Sequence, residues 1–426
     1  LPARAGRAAR EHIQRFFPAD AAPFAKALLL GDTSELSYTV DTSLKVSGIR
    51  HIVAVSGLHV SALFGAIYFL LRRRRVLSVL VCVPVLLFFA AVTGFSPSVV
   101  RASLMAGLMA LGSAINEEYD GLTSLSFASL VMLFANPFVI SSVSFQLSVA
   151  SVAGILLLAA PISARIVGLF PKVKAKSAGG RAIRWVAGAV SVCVSATLFS
   201  TPLSAYYFGA VSLIGVLANL LIIWMIPPLF CGIAVVGAFG GVVPQLCGPL
   251  AWLLSWVIRL ILWMARLMSR IPFAAVYTQS GFVIAWLIFA YCLAALFLCR
   301  RRHFLRFFLV GIIGLTAAIA ASIVVPRVDA LRLTALDVGE GQAILLQSSG
   351  KNYLIDCGGD SKTRAADEIA QTLLSQGLFR LDGLMLTHYD QDHVNAVENL
   401  LTRIKIDRFY PVSYTHLRAH ETGRNL

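Results

Sequence analysis

The chain has 426 residues, 58% of them hydrophobic and only 13% charged, with a mean hydropathy of +0.79. Soluble globular chains average roughly 45–50% apolar and about 25% charged residues, so this composition excludes an ordinary soluble enzyme and indicates a polytopic membrane protein with a short soluble part. The net charge of +15 would suit a polyanion-binding protein. Much of it, however, lies in Arg72–Arg75, Lys172–Arg184 and Arg300–Arg306, short clusters beside apolar runs, which is the positive-inside signal of membrane topology. The seven cysteines form no C-x-x-C pair, which argues against a disulfide framework or a zinc ribbon.

Residues 1–50 read as a non-spanning segment. It opens at Leu1 with an Arg/Ala-rich amphipathic stretch, helical from Pro2 to Phe17 and without a signal peptide, followed by an apolar stretch, Ala22–Leu30, closed by Gly31-Asp32. The true start of the protein is expected to lie upstream. Residues 51–325 form the membrane domain. A span needs about 20 mostly apolar residues, and ten candidates occur: 52–71, 76–94, 99–115, 121–135, 138–160, 185–205, 211–226, 229–246, 281–299 and 305–325. The fourth is short and is followed at once by Asn136-Pro137, as in a broken or re-entrant helix.

The segment 249–270 stands apart. Trp252, Trp256, Arg259, Trp263, Arg266 and Arg270 follow at i, i+4, i+7, i+11, i+14 and i+18, one stripe of a helix. Trp and Arg together favour the headgroup region, so this helix is expected to lie in the interface; a spanning helix with snorkelling arginines is the alternative. With Arg72–Arg75 and Lys172–Arg184 in the cytoplasm, Arg300–Arg302 is cytoplasmic only if 249–270 lies flat. That gives ten spans, with both chain ends on the outer face.

Several polar residues enter the spans. In the run His51-Ile52-Val53-Ala54-Val55-Ser56-Gly57-Leu58-His59, helical spacing puts His51, Val55 and His59 on one face. Ionisable groups in spans face a bundle interior or a wet cavity, while Ser56-Gly57 equally allows close helix packing; both readings stay open. Arg101, near the outer end of its span, is read as snorkelling in preference to contacting a phosphate. Gln146 and Asn219 are expected to be interhelical hydrogen-bond partners.

Residues 328–411 change pattern. Strand-like runs at Leu331–Leu336, Ala343–Gln347, Asn352–Ile355, Leu381–Leu386 and Ile404–Phe409 alternate with helical ones near Arg364–Gln376 and Asn395–Leu401. This is the start of a two-layer α/β domain. Within it, Thr387-His388-Tyr389-Asp390-Gln391-Asp392-His393 places four potential metal ligands in six residues directly after an apolar strand. His388, Asp390, Asp392 and His393 are hard and borderline donors that suit Zn²⁺ or Mn²⁺. Two Gly/Asp turns lie upstream, Asp337-Val338-Gly339-Glu340-Gly341-Gln342 and Asp356-Cys357-Gly358-Gly359. Asp356 ends its strand, where it either supports a ligand or simply makes the turn.

These stretches together resemble ComEC-type competence proteins. His51–His59 resembles the H-L-x-A-x-S-G-L-H hallmark, and Leu28–Asp32 and Pro97–Ala102 are similar to other parts of the same module. Asp337–Gln342 resembles the head of that family's metallo-β-lactamase-like domain, and T-H-x-D-x-D-H, with Asp390 in place of a middle His, is its version of the metal motif. The resemblance covers about residues 20–410. It implies an inner-membrane channel passing single-stranded DNA during natural transformation, built on a polytopic α-helical membrane domain. It also implies an outer-face nuclease-like domain with two divalent ions, where His388 and Asp390 serve the first and Asp392 and His393 the second. Two such ions activate water and neutralise charge developing on phosphorus, and Asp392 would orient the water. Membrane lipids, a DNA receptor and a cytoplasmic ATP-driven motor are the implied partners, and no P-loop G-x-x-x-x-G-K-[ST] occurs in these 426 residues.

Against the family pattern, these 426 residues are expected to hold no N-terminal OB-like domain, and Asn395-Ala396 stands where Gly-Gly usually follows the metal motif. The family's later ligands of a two-metal site, a downstream His, then an Asp and a final His, are expected to have no counterpart within these residues. Residues 412–426 resemble translated sequencing-adaptor read-through, so His416 and His420 are set aside as ligands and the chain is expected to stop inside the hydrolase domain. A membrane-tethered metallohydrolase of another phosphoester is the alternative function.

Overall fold

The computed structural model describes residues 1–71, 74–171, 177–300, 304–328 and 331–411. Parts of all three basic clusters (residues 72–73, 172–176 and 301–303) and the tail 412–426, with His416 and His420, lie outside the described residues. The chain divides into two compact units, one of Leu1–Tyr207 with Val211–Ala275, and a second that takes Phe208–Ala210 and everything from Val276 on.

The first unit begins with α1 (Pro2–Phe16), α2 (Ala22–Leu30), α3 (Tyr38–Val46) and α4 (Arg50–Val53). Amphipathic α1 turns Ala9 and Ile13 inward and Arg4 and Arg7 outward. Gly31 ends α2 in the left-handed conformation, at φ 75°. The Ser37 hydroxyl accepts the Val40 N–H at 3.4 Å and so caps α3. There follow α5 (Gly57–Leu70), α6 (Arg75–Val92), α7 (Pro97–Ile115), α8 (Gly121–Ala135), α9 (Val143–Gly168) and α10 (Ala178–Phe208). A short strand β1 (Ala210–Ser212), α11 (Gly215–Ile222), α12 (Ile226–Phe239), α13 (Pro244–Ser269) and strand β2 (Ala275–Tyr277) complete this part of the chain.

Among the described residues, six helical stretches are long and apolar enough to cross a membrane: α6, α7, α9, α10, Gly215–Phe239 and α13. Four shorter apolar helices accompany them, Gly57–Leu70, Gly121–Ala135, Gly281–Leu293 and Leu309–Val325. Six such stretches do not confirm the expected count of ten spans. The spans expected at 211–226 and 229–246 merge into one stretch, because a 3-10 turn at Ile223–Met225 links α11 to α12. Pro227 and Pro228 open α12, where a missing N–H costs nothing. The ninth helix begins at Val143 and not at 138, because Pro137–Ser141 forms a 3-10 turn of its own.

Helix α13 is amphipathic as its stripe predicts. Ala251, Leu254, Ser255, Ile258, Ile261 and Ala265 are buried, while Trp252, Trp256, Trp263, Arg266 and Arg270 face outward. Arg259 holds Asp20 through two hydrogen bonds, at 2.8 and 3.2 Å. The buried face packs on α12, α3 and α1.

In the second unit α14 (Gly281–Arg300) and α15 (Phe304–Val328) pack as a hairpin, with Trp286 Nε1–H donating to the Gly311 carbonyl at 2.9 Å. Strands β3 (Leu331–Ala335), β4 (Ile344–Ser348) and β5 (Lys351–Ile355) form an antiparallel meander. Helix α16 (Lys362–Ser375) and the two-residue strand β6 (Arg380–Leu381) then lead to β7 (Gly383–Met385), which joins β5 in parallel. The helices α17 (Gln391–Val394) and α18 (Val397–Leu401) precede β8 (Lys405–Ile406) and β9 (Phe409–Tyr410). The main sheet has the order β3-β4-β5-β7-β9, and β6 pairs with β8. Leu345 on β4, Leu354 on β5 and Leu384 on β7 are matched in register and fully buried. Helix α16 buries Ala365, Ala366, Ile369, Ala370 and Leu373, the i, i+1, i+4, i+5, i+8 face of an amphipathic helix. This is the two-layer α/β arrangement expected from the alternation of patterns.

Candidate functional site

Strands β5 and β7 are parallel neighbours, so the chain leaves both at the same edge of the sheet. Asp356 follows β5 there, and Thr387–His393 follows β7. The β3–β4 connection opens at that edge too, because Ile344 at the start of β4 lies opposite Ile355 at the end of β5. The three motifs, separate in sequence, therefore meet. The carboxyl ends of parallel strands are where open α/β sheets bind ligands.

Backbone contacts hold them together. Gln342 N–H donates to the Asp392 carbonyl at 3.1 Å, and Cys357 N–H to the His393 carbonyl at 2.7 Å. The packing leaves no room for side chains: a Cβ on Gly358 would lie 2.4 Å from Asp392 backbone atoms, and one on Gly341 2.6 Å from the Asp392 carbonyl. Asn395 clamps the loop after β5, accepting the Gly359 N–H at 3.2 Å and donating to the Gly359 carbonyl at 2.6 Å. Burial and the adjacent Asp356 carboxylate push the Cys357 thiol up to about 12, so it packs as a neutral side chain.

Asp356, fully buried at φ 58°, organises the centre. Its Oδ1 accepts the Thr387 N–H at 2.7 Å; its Oδ2 lies 2.6 Å from the Thr387 hydroxyl and 2.9 Å from His393 Nδ1. A carboxylate only accepts, so Thr387 Oγ1–H and His393 Nδ1–H both donate to it. With its proton so used, Thr387 Oγ1 accepts from His388 Nδ1, 2.8 Å away. Both imidazoles therefore carry hydrogen on Nδ1, which leaves Nε2 as the nitrogen through which each could bind a metal.

The ligand candidates come together in two pairs. His388 Nε2 lies 3.6 Å from Asp390 Oδ2, and His393 Nε2 lies 3.4 Å from Asp392 Oδ2. The two rings are 3.6 Å apart, centre to centre. His393 is nearly buried, whereas Asp390 and Asp392 project outward. Two imidazoles and two carboxylates fit a divalent ion by donor type. By number each pair supplies two donors, and among the described residues no three His, Cys, Asp or Glu side chains converge on one point. Sequence reasoning did not assign roles to Thr387 or Asn395, because both act through segments more than 30 positions away, 31 for Thr387 and 36 for Asn395.

The membrane motif differs from its expected form. The chain does not pass from His51 to His59 as one helix; α4 stops at Val53, Ser56 is extended (φ −135°, ψ 177°), and α5 starts at Gly57. His51 is thus not on a shared helical face with Val55 and His59, and it is exposed. The break has a cause in the motif: His59 Nδ1 accepts the Ser56 N–H at 3.0 Å, satisfying the backbone where the helix begins. His59 is completely buried, its ring edge-on to Phe230 at 4.9 Å. Arg101 does not snorkel. It is 4% exposed, and its Nε–H donates to the Ser148 hydroxyl of α9 at 2.9 Å. Gln146 does bond across helices, accepting from the Tyr207 hydroxyl at 2.9 Å. Asn219 instead donates to the Gly215 carbonyl of its own helix at 2.8 Å.

Comparison with known proteins agrees with both parts of the chain. Residues 28–303 match the family model described as competence protein, and residues 336–423 match that of the metallo-beta-lactamase superfamily. The second match extends through residues 412–423, outside the described residues. The chain is 28% identical to ComE operon protein 3 of Bacillus subtilis, over 94% of this chain and 52% of that protein. It is 27% identical to competence protein ComA of Neisseria gonorrhoeae, over 86% and 50%, and 24% identical to recombination protein 2 of Haemophilus influenzae, over 88% and 51%. No solved structure matches. The chain spans about half the length of these curated relatives. With six membrane-length apolar helices among the described residues ahead of a metallo-beta-lactamase domain, it belongs to the competence protein family, as a multi-pass membrane protein of the ComEC type.

Proposed function

We infer that the protein is an inner-membrane channel for single-stranded DNA in natural transformation, with a metal-dependent, nuclease-like domain on the outer face. The observation that carries this reading is the union in one chain of a competence domain and a hydrolase domain whose T-H-x-D-x-D-H ligands are brought together in pairs. The metallo-beta-lactamase superfamily implies a divalent ion, Zn²⁺ or Mn²⁺ by donor type. His388 with Asp390 and His393 with Asp392 would hold such ions, which supply Lewis-acid stabilisation of charge at phosphorus. Asp392, outward-facing beside His393, orients the attacking water, and Asp356 fixes both imidazoles.

The flat arrangement of α13 gains support from its neighbours. It packs on α3, which carries Asp41, Lys45 and several hydroxyl side chains and is unsuited to hydrocarbon. A flat α13 keeps Trp252, Trp256 and Trp263 at headgroup depth. A DNA receptor and an ATP-driven motor would be separate proteins.

The test is transformation by linear DNA in a strain carrying the full-length gene, comparing wild type, deletion and H388A/D392A. Loss of uptake on deletion is expected, and the double mutant reports whether metal chemistry is needed for it. Normal uptake in the deletion strain would instead favour a membrane-tethered metallohydrolase of another phosphoester.

A further inference from the structure

Arg101 occupies an unusual position inside the membrane unit. It lies on the second turn of α7, is 4% exposed, and reaches across to α9 and α5. Its Nε–H donates to Ser148 Oγ at 2.9 Å, and Nη1 lies 3.5 Å from Met105 Sδ, a weak acceptor. Nη2 points at the first residue of α5, where it comes within 3.2 Å of the point a Cβ on Gly57 would occupy. Among the described residues no Asp or Glu pairs with this guanidinium. A buried cation without a counter-ion is costly, and inside a membrane domain such a group marks a functional site.

Its surroundings raise that cost. Gly57 begins α5, so the positive end of that helix dipole lies beside the guanidinium. The first turn of α9 adjoins as well, since Ser98 Oγ lies 2.9 Å from Ser144 Oγ. The Oγ of Ser96, which precedes α7, is buried without a partner. A helix start beside a fixed guanidinium favours negative charge there. Gly57 matters here because a Cβ at that position would press on Nη2, at 3.2 Å.

We propose that Arg101, with the N-terminus of α5 at Gly57, binds a phosphodiester group of the single DNA strand as it passes through the membrane domain. This rests on the channel reading above. The two non-bridging oxygens of a phosphodiester match the guanidinium fork, which makes Arg, with its planar donors, better suited than Lys. A phospholipid headgroup carries the same group, but Arg101 is turned into the bundle between α5, α7 and α9, so the strand is the occupant assigned.

The test uses full-length protein in phosphatidylcholine nanodiscs and a fluorescent 20-mer of thymidylate, with R101Q, R101K and S148A variants. Wild type should bind the 20-mer in a salt-dependent manner. R101Q should weaken binding about tenfold and flatten the salt slope by about 0.7, the single-strand value for one phosphate contact. An uncharged methylphosphonate 20-mer should bind wild type and R101Q alike. S148A, which keeps the charge, should bind within about twofold of wild type. If R101Q does not accumulate, R101K decides: it keeps the charge without the fork, and about threefold weaker binding is expected. Folded R101Q, or R101K in its place, with wild-type affinity would overturn the assignment. So would an S148A defect equal to that of R101Q, which would mark a packing role. Loss of the R101Q effect when phosphatidylglycerol is added to the nanodiscs would overturn it in favour of lipid. A wild-type protein that binds no 20-mer, with normal uptake on deletion, would defeat the channel reading itself.

Discussion

Asp356 Oδ2 lies 2.9 Å from His393 Nδ1, and the same carboxylate reaches His388 through the Thr387 hydroxyl. One fully buried acid thus sets the orientation of both candidate metal-binding imidazoles. Replacement by Asn tests this with little disturbance of shape, because Asn tolerates the left-handed backbone at φ 58°. D356N is expected to lower affinity for Zn²⁺ or Mn²⁺ about 10–100-fold, as loss of an outer partner does in metal sites. Competition with a chromophoric chelator on the full-length protein measures it; wild-type affinity would show that the imidazoles orient themselves.

Gly358 and the metal motif share one space. A Cβ at position 358 would lie 2.4 Å from the carbonyl of Asp392 and from the His393 N–H nitrogen. Backbone cannot yield as a flexible side-chain tip can, so G358A should cost at least about 1–3 kcal/mol. Hydrogen exchange across residues 331–411 should accelerate, with loss of metal binding. Unchanged exchange would mean that the loop relaxes at no cost.

Local features of this site were legible in the sequence and long-range ones were not. The T-H-x-D-x-D-H run is expected after an apolar strand, and the structure has that strand, β7, directly ahead of it. The roles of Thr387 and Asn395 were not legible because their partners, Asp356 and Gly359, are brought near only by the parallel pairing of β5 with β7. In the membrane unit, the apolar run from Ile52 reads as continuous helix. It breaks because one side chain, His59, takes the Ser56 N–H, which hydrophobic periodicity does not register. Arg101 shows the same limit: its depth along α7 is apparent from the sequence, but its direction is decided by Ser148, 47 positions later.

The Trp face of α13 predicts a fluorescence result. Trp252, Trp256 and Trp263 are exposed at 60%, 54% and 59%, on the side opposite the buried core face. If α13 lies in the interface, lipids brominated near the headgroup should quench these residues more than lipids brominated near the chain ends. Substituting Phe at all three positions should remove most of the shallow-quenched signal, leaving Trp185, Trp224 and Trp286 as background. Equal quenching from both depths would indicate a crossing helix.

Asp41 links α3 to α4 and gives the N-terminal segment a defined acid sensitivity. It lies 2.8 Å from Lys45 Nζ and 2.7 Å from Arg50 Nε, with its side chain 13% exposed. Burial alone would raise its pKa, but the charges and hydrogen bonds of Lys45 and Arg50 outweigh burial and hold it below the ordinary 3.8. A carboxyl whose folded-state pKa is depressed stabilises the fold fully above its unfolded value. That contribution is lost as pH falls through the folded-state value. D41N should therefore cost about 2 kcal/mol at neutral pH, the scale of a hydrogen bond to a charged group. Below pH 3.8 the gap between mutant and wild type should close, since the wild-type carboxyl becomes neutral too. Melting midpoints of the purified protein, taken at neutral pH and stepwise through the acid range, measure both parts. A gap that stays constant into acid would mean that Asp41 acts by packing and not by its charge, because packing is lost in the mutant at every pH.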